Sequence, residues 1–571
     1  MRREASSPLG RWVDRSGANT RRVEPERHQG GGLVRGVVVR LIATCLFAVL
    51  PRPAGAWRED PLAGIDAYAA RVLREVETPG LSVAVVKDGR VVLTRGYGLR
   101  RRGEPAPVDE STLFGISSNT KAFTCAALAL LAEEGKLAWD DPVTQHLPEF
   151  QMYDPWVTRE VTLRDIVTHR TGLGVGAGDL MWWPSTTFTR QQIVRGLRHL
   201  KPAASLRSRY AYSNVMYVTA GEVVARASGR SWDDFVRERI FNALGMTRTT
   251  TRIAVEAENV AVPHVYVRGA VRPIAPMECG NVGAAGAINS TAGDMARWVR
   301  MLLECARAGQ VPAGETCVLK PASIREMWSA QTVQGTPDPP KGLEALRANF
   351  AAYGLGFGLR DYRGRKLVSH TGGLPGYFSQ VTLVPEERLS VVVLTNYEAE
   401  AGFGALTQRI LDVYLGPPEP AVDWIAAFRA AAAERWAKAK EKVAEDATVR
   451  NASSSPSLPL ERYVGRYRDP WYGEATIAVE NGCLVLAMTR TPRMVADLEH
   501  WQYDTFVARW REVFMSDHAV AEAYVTFVLK PAATVERMTM IPVSPAIDFS
   551  FDFQDLRFTP VLVEPGGPAK P

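Results

Sequence analysis

Apolar runs and the residues that punctuate them divide this chain into a mixed first part and a strand-rich end. Residues 81–86 and 91–94 are short apolar runs on either side of Lys87-Asp88-Gly89-Arg90. Asp-Gly between two such runs predicts a β-hairpin. Residues 122–132 are apolar nearly all round, which predicts a helix buried on every side. Gly135 is placed to end it. Residues 140–345 carry mostly helical periodicity between Gly/Pro loops, with 232–244 as one amphipathic case. Strand character returns at 366–370, 377–384 and 389–395, separated by short turns. That spacing predicts an antiparallel meander. Strands at both ends with helices between them predict an α+β domain whose sheet is completed by segments far apart in sequence.

An Ala/Lys/Glu-rich helix is predicted over 422–446, followed by a Ser/Pro linker at 451–459. Residues 460–560 alternate like short strands, and Asn481-Gly482 marks another hairpin. The expected organisation is a leader at 1–56, a catalytic domain at 57–420, helix and linker at 421–456, an all-β domain at 457–560, and a tail at 561–571.

Composition changes little in this picture, since 46% hydrophobic and 23% charged residues are ordinary for a globular chain of 571 residues. Charge changes more. The whole excess of +6 sits in residues 1–56, which hold ten Arg and four acidic residues. The remainder is balanced, so nothing points to a nucleic-acid partner. Arg35 and Arg40 precede the apolar run 41–50, and Ala54-Gly55-Ala56 follows two prolines. This predicts an export signal cleaved near Ala56, a secreted or periplasmic product, and no stable membrane span in the mature chain. Of the remaining cysteines, Cys305 and Cys317 are candidates for a disulfide, and Cys125 for the core. The His and Cys spacings fit no metal motif, so neither metal nor cofactor is expected.

Ser118-Asn119-Thr120-Lys121 opens the apolar helix. A serine hydroxyl needs a base beside it to become a nucleophile. Residues i and i+3 share a helix face. A desolvated lysine loses basicity enough to accept the serine proton. Further along, Tyr212-Ser213-Asn214 precedes a helix, and His370-Thr371-Gly372 ends a strand.

In that order and spacing, the three motifs resemble the serine β-lactamase and penicillin-binding-protein superfamily. The pattern is similar to its class C β-lactamase and D,D-peptidase branch, over roughly residues 60–400. Gly283-Ala284-Ala285-Gly286 and Thr162 to Leu173 resemble further segments of that family. The resemblance implies a β-lactamase/transpeptidase-like fold followed by a small lipocalin-like barrel. It implies that Ser118 attacks a carbonyl and that Lys121 and Tyr212 share its proton, with the resting base left open. A Tyr212 of depressed pKa would then serve the leaving group and the deacylating water. Asn214 would orient Lys121. The backbone N–H groups of Ser118 and Gly373 would form the oxyanion hole. Asn214, His370, Thr371 and Gly372 would bind substrate. His370 stands where a lysine is the family pattern, which disfavours a dedicated β-lactamase and suits a peptidase, amidase or esterase. The expected partner is a small-molecule or peptide substrate, most of all a D-amino-acid or cell-wall-type amide. A β-lactam or short-chain ester remains the alternative, as does a non-catalytic penicillin-binding or peptide-sensing role. Trp182 and Trp183 are read as subdomain packing, with cleft lining as the alternative; His169 and Asp165 are read as structural.

Overall fold

The computed structural model describes residues 60–252, 258–307, 316–513, 515–516 and 521–561, all within one compact unit. The expected leader at 1–56 and the tail beyond 561 lie outside these residues.

The central layer is an eight-stranded antiparallel sheet. Its strands are β1 (Gly80–Lys87), β2 (Arg90–Gly98), β3 (Thr332–Val333), β4 (Ala351–Tyr353), β5 (Gly358–Tyr362), β6 (Arg365–Leu374), β7 (Tyr377–Val384) and β8 (Leu389–Thr395). They run in the order β2-β1-β8-β7-β6-β5-β4-β3. The first hairpin thus joins the late meander through β1 and β8, paired from Leu81–Thr395 to Lys87–Leu389. Asp88 and Gly89 both take positive φ, 51° and 76°, as the tightest hairpin turn requires.

The unbroken apolar run of β1 is explained by burial on both faces. Leu81, Val83 and Val85 pack with Val391 and Val393 of β8 against helix α1 (Ile65–Val76) and later helices. Ala84 and Val86, with Val392 and Leu394, face the opposite core, which holds helix α2 (Thr120–Glu133). That core also holds α3 (Asn214–Ser228) and α4 (Ala292–Arg307). Every residue of α2 from Thr120 to Leu131 is buried. Phe123 stacks on Trp298 of α4 at 4.3 Å between ring centroids. Cys125 is in this core, and Cys305 at the end of α4 is disulfide-bonded to Cys317.

Two helical boundaries differ from expectation. The amphipathic stretch 232–244 is α-helical only over Trp232–Val236 and widens into a π turn at Arg237–Phe241. Beyond α5 (Glu400–Leu415), the Ala-rich helix α6 spans Trp424–Thr448. It starts two residues later than its composition suggests, because Asp423 caps it by accepting from the Ala426 amide.

The C-terminal strands are β9 (Gly465–Asp469), β10 (Gly473–Glu480), β11 (Cys483–Met488), β12 (Val495–Gln502), β13 (Thr505–Trp510), β14 (Ala523–Leu529), β15 (Val535–Pro542) and β16 (Thr559–Pro560). They form a second antiparallel sheet in the order β15-β14-β13-β12-β11-β10-β9-β16. A bridge between Met538 and Phe558 brings its two ends together, so the barrel is nearly closed. Its interior is continuous with the core under α2 and α3.

The nucleophile-bearing turn is locked to β6 and β7 by close backbone approach. A Cβ on Gly372 would lie 2.1 Å from the carbonyl oxygen of Ile116 and 2.5 Å from Ser379 Oγ. No side chain fits there without moving the strand. Gly372→Ala should therefore lower stability by roughly 1–3 kcal/mol through overpacking, read as a lower urea midpoint at unchanged slope. An unaltered midpoint would show that β6 is free to shift.

Candidate active site

Residues 117–119 form a single 3₁₀ turn at the mouth of α2, so Ser118 sits on that turn rather than within the α-helix expected. A 3₁₀ turn eclipses residues i and i+3, which aims Ser118 at Lys121. Ser117 holds a left-handed φ of 46°, a conformation costing a non-glycine residue about 1–3 kcal/mol. Its hydroxyl donates to the Gly373 carbonyl at 2.7 Å, which offsets part of that strain and ties the turn to β6.

Lys121 has no solvent exposure. Its Nζ lies 3.0 Å from Ser118 Oγ, 2.8 Å from Asn214 Oδ1 and 2.9 Å from the Ala285 carbonyl oxygen. Asn214 must present its oxygen, because its Nδ2 donates to Asp179 Oδ2 at 2.8 Å. A carbonyl can only accept. A neutral amine therefore spends its two N–H bonds on Asn214 and Ala285 and leaves its lone pair facing the Ser118 hydroxyl. Burial draws the Lys121 pKa down to about 7, against a smaller upward pull from Asp179. At neutral pH a large fraction of the lysine is thus in the form that can take a proton.

Tyr212 approaches the same group from the segment before α3, its ring centroid 4.8 Å from Lys121 Nζ. Its backbone is pinned where Gly176 N donates to the Tyr212 carbonyl at 3.0 Å, and where Ser213 N donates to His169 Nδ1 at 3.1 Å. The rings of Tyr212 and His169 lie 4.4 Å apart. Burial holds the Tyr212 phenol well above its ordinary pKa, with only a smaller lowering from Ser118. This corrects the expectation of a depressed Tyr212: desolvation of a phenolate outweighs its neighbours. Of the two candidate bases, Lys121 is the one with matched basicity at neutral pH.

His370 is half-buried in the middle of β6, which runs on to Leu374, so His370-Thr371-Gly372 lies within the strand and not at its end as expected. Its Nε2 lies 2.9 Å from Tyr353 Oη and its Nδ1 2.6 Å from the Thr371 carbonyl. The carbonyl requires Nδ1 to carry the proton, and Nε2 then accepts from the tyrosine. Burial, with Lys121 nearby, pushes the His370 pKa down to about 3. The ring is neutral at any physiological pH and offers no cation.

Ser118, Tyr212, Asn214 and His370 line one cleft of about 540 Å³, together with Thr371, Gly372, Gly373 and the residues on the wall opposite, while Lys121 lies buried behind Ser118. Trp182 and Trp183 are buried and also line it, so packing and cleft lining are both served. Asp165 binds Arg170 and Arg207 and caps the turn at Thr162, a structural role. Four participants carried no usable sequence signal as individuals. They are the Ala285 carbonyl, Asp179, Tyr353, and the segment Asp548-Phe549-Ser550, which reaches the cleft from the C-terminal domain. The Gly283 to Gly286 motif pointed at the first of these without assigning it a contact. Among the described residues no group of three or more His, Cys, Asp or Glu is placed to hold a metal ion, and no helix is long and apolar enough to cross a membrane.

As the base, Lys121 would have to be neutral, so activity would be lost as pH falls through its pKa. The acylation rate of an uncharged substrate should drop about tenfold per pH unit below an inflection near 7 and be level above it. A rate independent of pH between 5.5 and 8 would remove Lys121 as the base.

Comparison with known proteins gives two family matches: a Beta-lactamase model over residues 65–415 and a domain of unknown function (DUF3471) over residues 449–560. Unguisins hydrolase of Aspergillus campestris (strain IBT 28561) is 31% identical, covering 70% of this chain and 74% of its own. The D-alanyl-D-alanine-carboxypeptidase/endopeptidase AmpH of Escherichia coli (strain K12) is 26% identical, covering 61% and 87%. Among solved structures, the octameric penicillin-binding protein homologue from Pyrococcus abyssi superposes with a TM-score of 0.55 at 21% identity, over 87% of this chain and 99% of that one.

Proposed function

The chain belongs to the Beta-lactamase family and is a serine hydrolase, and from that premise we propose that Ser118 forms an acyl-enzyme with an internal amide bond of a D-amino-acid or cell-wall-type peptide. Lys121 takes the Ser118 proton during attack. Tyr212, with its high pKa, stays protonated at rest. It donates to the leaving nitrogen as the bond breaks, then regains a proton from the water that attacks the acyl carbonyl, and Lys121 returns its proton to Ser118 as the acyl bond breaks. The N–H groups of Ser118 and Gly373 receive the developing oxyanion, a term worth about 10²–10³ in rate per donor. Asn214 orients the lysine and offers its amide to the substrate.

The observation that carries this reading is the Lys121 amine held between Asn214 and Ala285 with its third direction on Ser118. The preference for an internal bond rests on charge. Asp548 is the only Asp, Glu, Lys or Arg among the described residues lining the cleft. A substrate carboxylate has no cation to meet beside His370. The preference for a peptide over a compact β-lactam rests on size. Thr371, Gly373, Phe378, Phe403, Asp548 and Phe549 also border a second cavity of about 1160 Å³, so the cleft continues past the reacting centre. The relative named as carboxypeptidase/endopeptidase supports amide chemistry, and the one named as a hydrolase supports hydrolysis. Export is part of the same proposal, supported by the leader pattern and by the Cys305–Cys317 disulfide, a bond of oxidising compartments.

A fluorophosphonate should label the wild type stoichiometrically and leave Ser118→Ala unlabelled; an unlabelled wild type would return the non-catalytic reading. Peptides with an amidated or extended C-terminus should be cleaved faster than the same peptides ending in a free carboxylate, and faster than a chromogenic cephalosporin. His370→Lys should raise kcat/KM on the free-carboxylate peptides about tenfold or more, the worth of one charge-assisted bond. An unchanged ranking would discard the charge argument. Secreted or periplasmic protein should begin near Trp57; an N-terminus upstream of residue 35 would discard the cleavage site.

A further inference from the structure

The C-terminal β domain matches a family described only as being of unknown function, yet it reaches the innermost hydrogen bonds of the cleft. The segment between β15 and β16 runs along the loop that bears Asp179. Gly176 meets it so closely that a Cβ there would lie 2.4 Å from the Phe549 carbonyl oxygen. Asp552, fully buried, accepts from the backbone N–H of Gly178 at 2.5 Å and of Leu180 at 3.1 Å. It thereby grips both ends of the turn around Asp179. Ser550, also buried, donates its hydroxyl to Asp179 Oδ2 at 3.0 Å, the oxygen that accepts from Asn214. Phe549 meets the Tyr212 ring edge-on at 5.8 Å.

We infer that Ser550, delivered by the C-terminal β domain, is a positioning residue for Lys121, acting through Asp179 and Asn214. The chain of contacts is unbroken: Ser550 Oγ to Asp179 Oδ2, Asn214 Nδ2 to that oxygen, and Lys121 Nζ to Asn214 Oδ1. Two donors on one carboxylate oxygen fix the amide of Asn214 so that its own oxygen faces the amine. Without Ser550 the carboxylate is free to turn, and the amide with it. The arrangement assigns the C-terminal domain a part in completing the site, and it rests on the acyl-enzyme reading above.

Other titratable groups surround this chain of contacts. Tyr212, Tyr217, Cys125, His169 and His370 lie about Lys121, Asp552 lies beyond Asp179, and Asp548 accepts from the Ser550 backbone N–H at 2.8 Å. Burial draws the Asp179 pKa up to about 7, and the bonds from Asn214 and Ser550 act in the opposite direction. Loss of the Ser550 donor therefore makes Asp179 more readily neutral. Lys121 then loses an anion that favours its protonated form, and its pKa moves down.

The test is the pH dependence of fluorophosphonate labelling rate in full-length wild type, Ser550→Ala and Asp179→Asn. Ser550→Ala should still label to completion, with a plateau rate lower by about ten- to a hundredfold and an inflection moved to lower pH. Asp179→Asn, nearly isosteric, should move the inflection the same way and reads the link should Ser550→Ala not fold. A reduced rate with an unmoved inflection in the folded variants would mean only loosened packing and would overturn the inference, as would a wild-type profile. A wild type that does not label would instead overturn the acyl-enzyme reading on which it rests.

Discussion

An amine buried at the first turn of α2, with only neutral oxygens in contact, sets the terms for everything around it. A charged ammonium in that place is penalised by desolvation, so the pKa of Lys121 falls to about 7. The neutral amine is stable there only because Asn214 and the Ala285 carbonyl accept its two hydrogens. Those acceptors come from α3 and from the Gly283–Gly286 turn. Each has to be presented from outside α2, and the packing of α2 against α3 and α4 is what presents them. The same burial sets Tyr212 and His370 at the other extreme, with one phenol kept protonated and one imidazole kept neutral. The cleft does its electrostatic work with dipoles, and such dipoles cost no reorganisation at the moment of reaction.

Rigidity at the nucleophile has a comparable origin. Ser117 is held in a left-handed conformation, and its hydroxyl is anchored on β6. Asn119 Nδ2 donates to Ser379 Oγ, which in turn donates to the Ile116 carbonyl. The turn bearing Ser118 is thus stitched to β6 and β7 on both sides, and Gly372 permits the approach. Strain and close packing here serve one geometric end, a hydroxyl held within reach of Lys121.

What could be read from the chain and what could not divide along a physical line. Ser118 and Lys121 are three residues apart, Tyr212 and Asn214 two, and His370, Thr371 and Gly372 are adjacent, so each motif is local and announces itself. The hairpins announced themselves equally, through Asp88-Gly89 and Asn481-Gly482, whose left-handed φ values only a few residue types accept. The contact made by Ala285 is through its carbonyl, which every residue type possesses and which leaves no compositional mark. Tyr353, Asp179 and Ser550 are ordinary residues whose meaning comes from tertiary neighbours far along the chain. The raised pKa of the Tyr212 phenol leaves no mark in the sequence for the same reason, since desolvation belongs to the fold and not to the motif. The π turn at Arg237–Phe241 and the two-residue shift of α6 are boundary effects of packing and capping, to which periodicity is blind.

The cleft wall formed by Phe549 and Ser550 has a consequence for the order in which this protein comes into being. Ribosomes deliver Ser118, Lys121, Tyr212 and His370 long before the segment after β15. Until that segment is made, Tyr212 lacks the ring contact of Phe549 and Asp179 lacks the hydrogen bond of Ser550. The contacts behind Tyr212 and Asp179 therefore form only once the barrel's connecting segment is in place. A chain that stops short of Phe549 keeps all three motifs and none of these contacts.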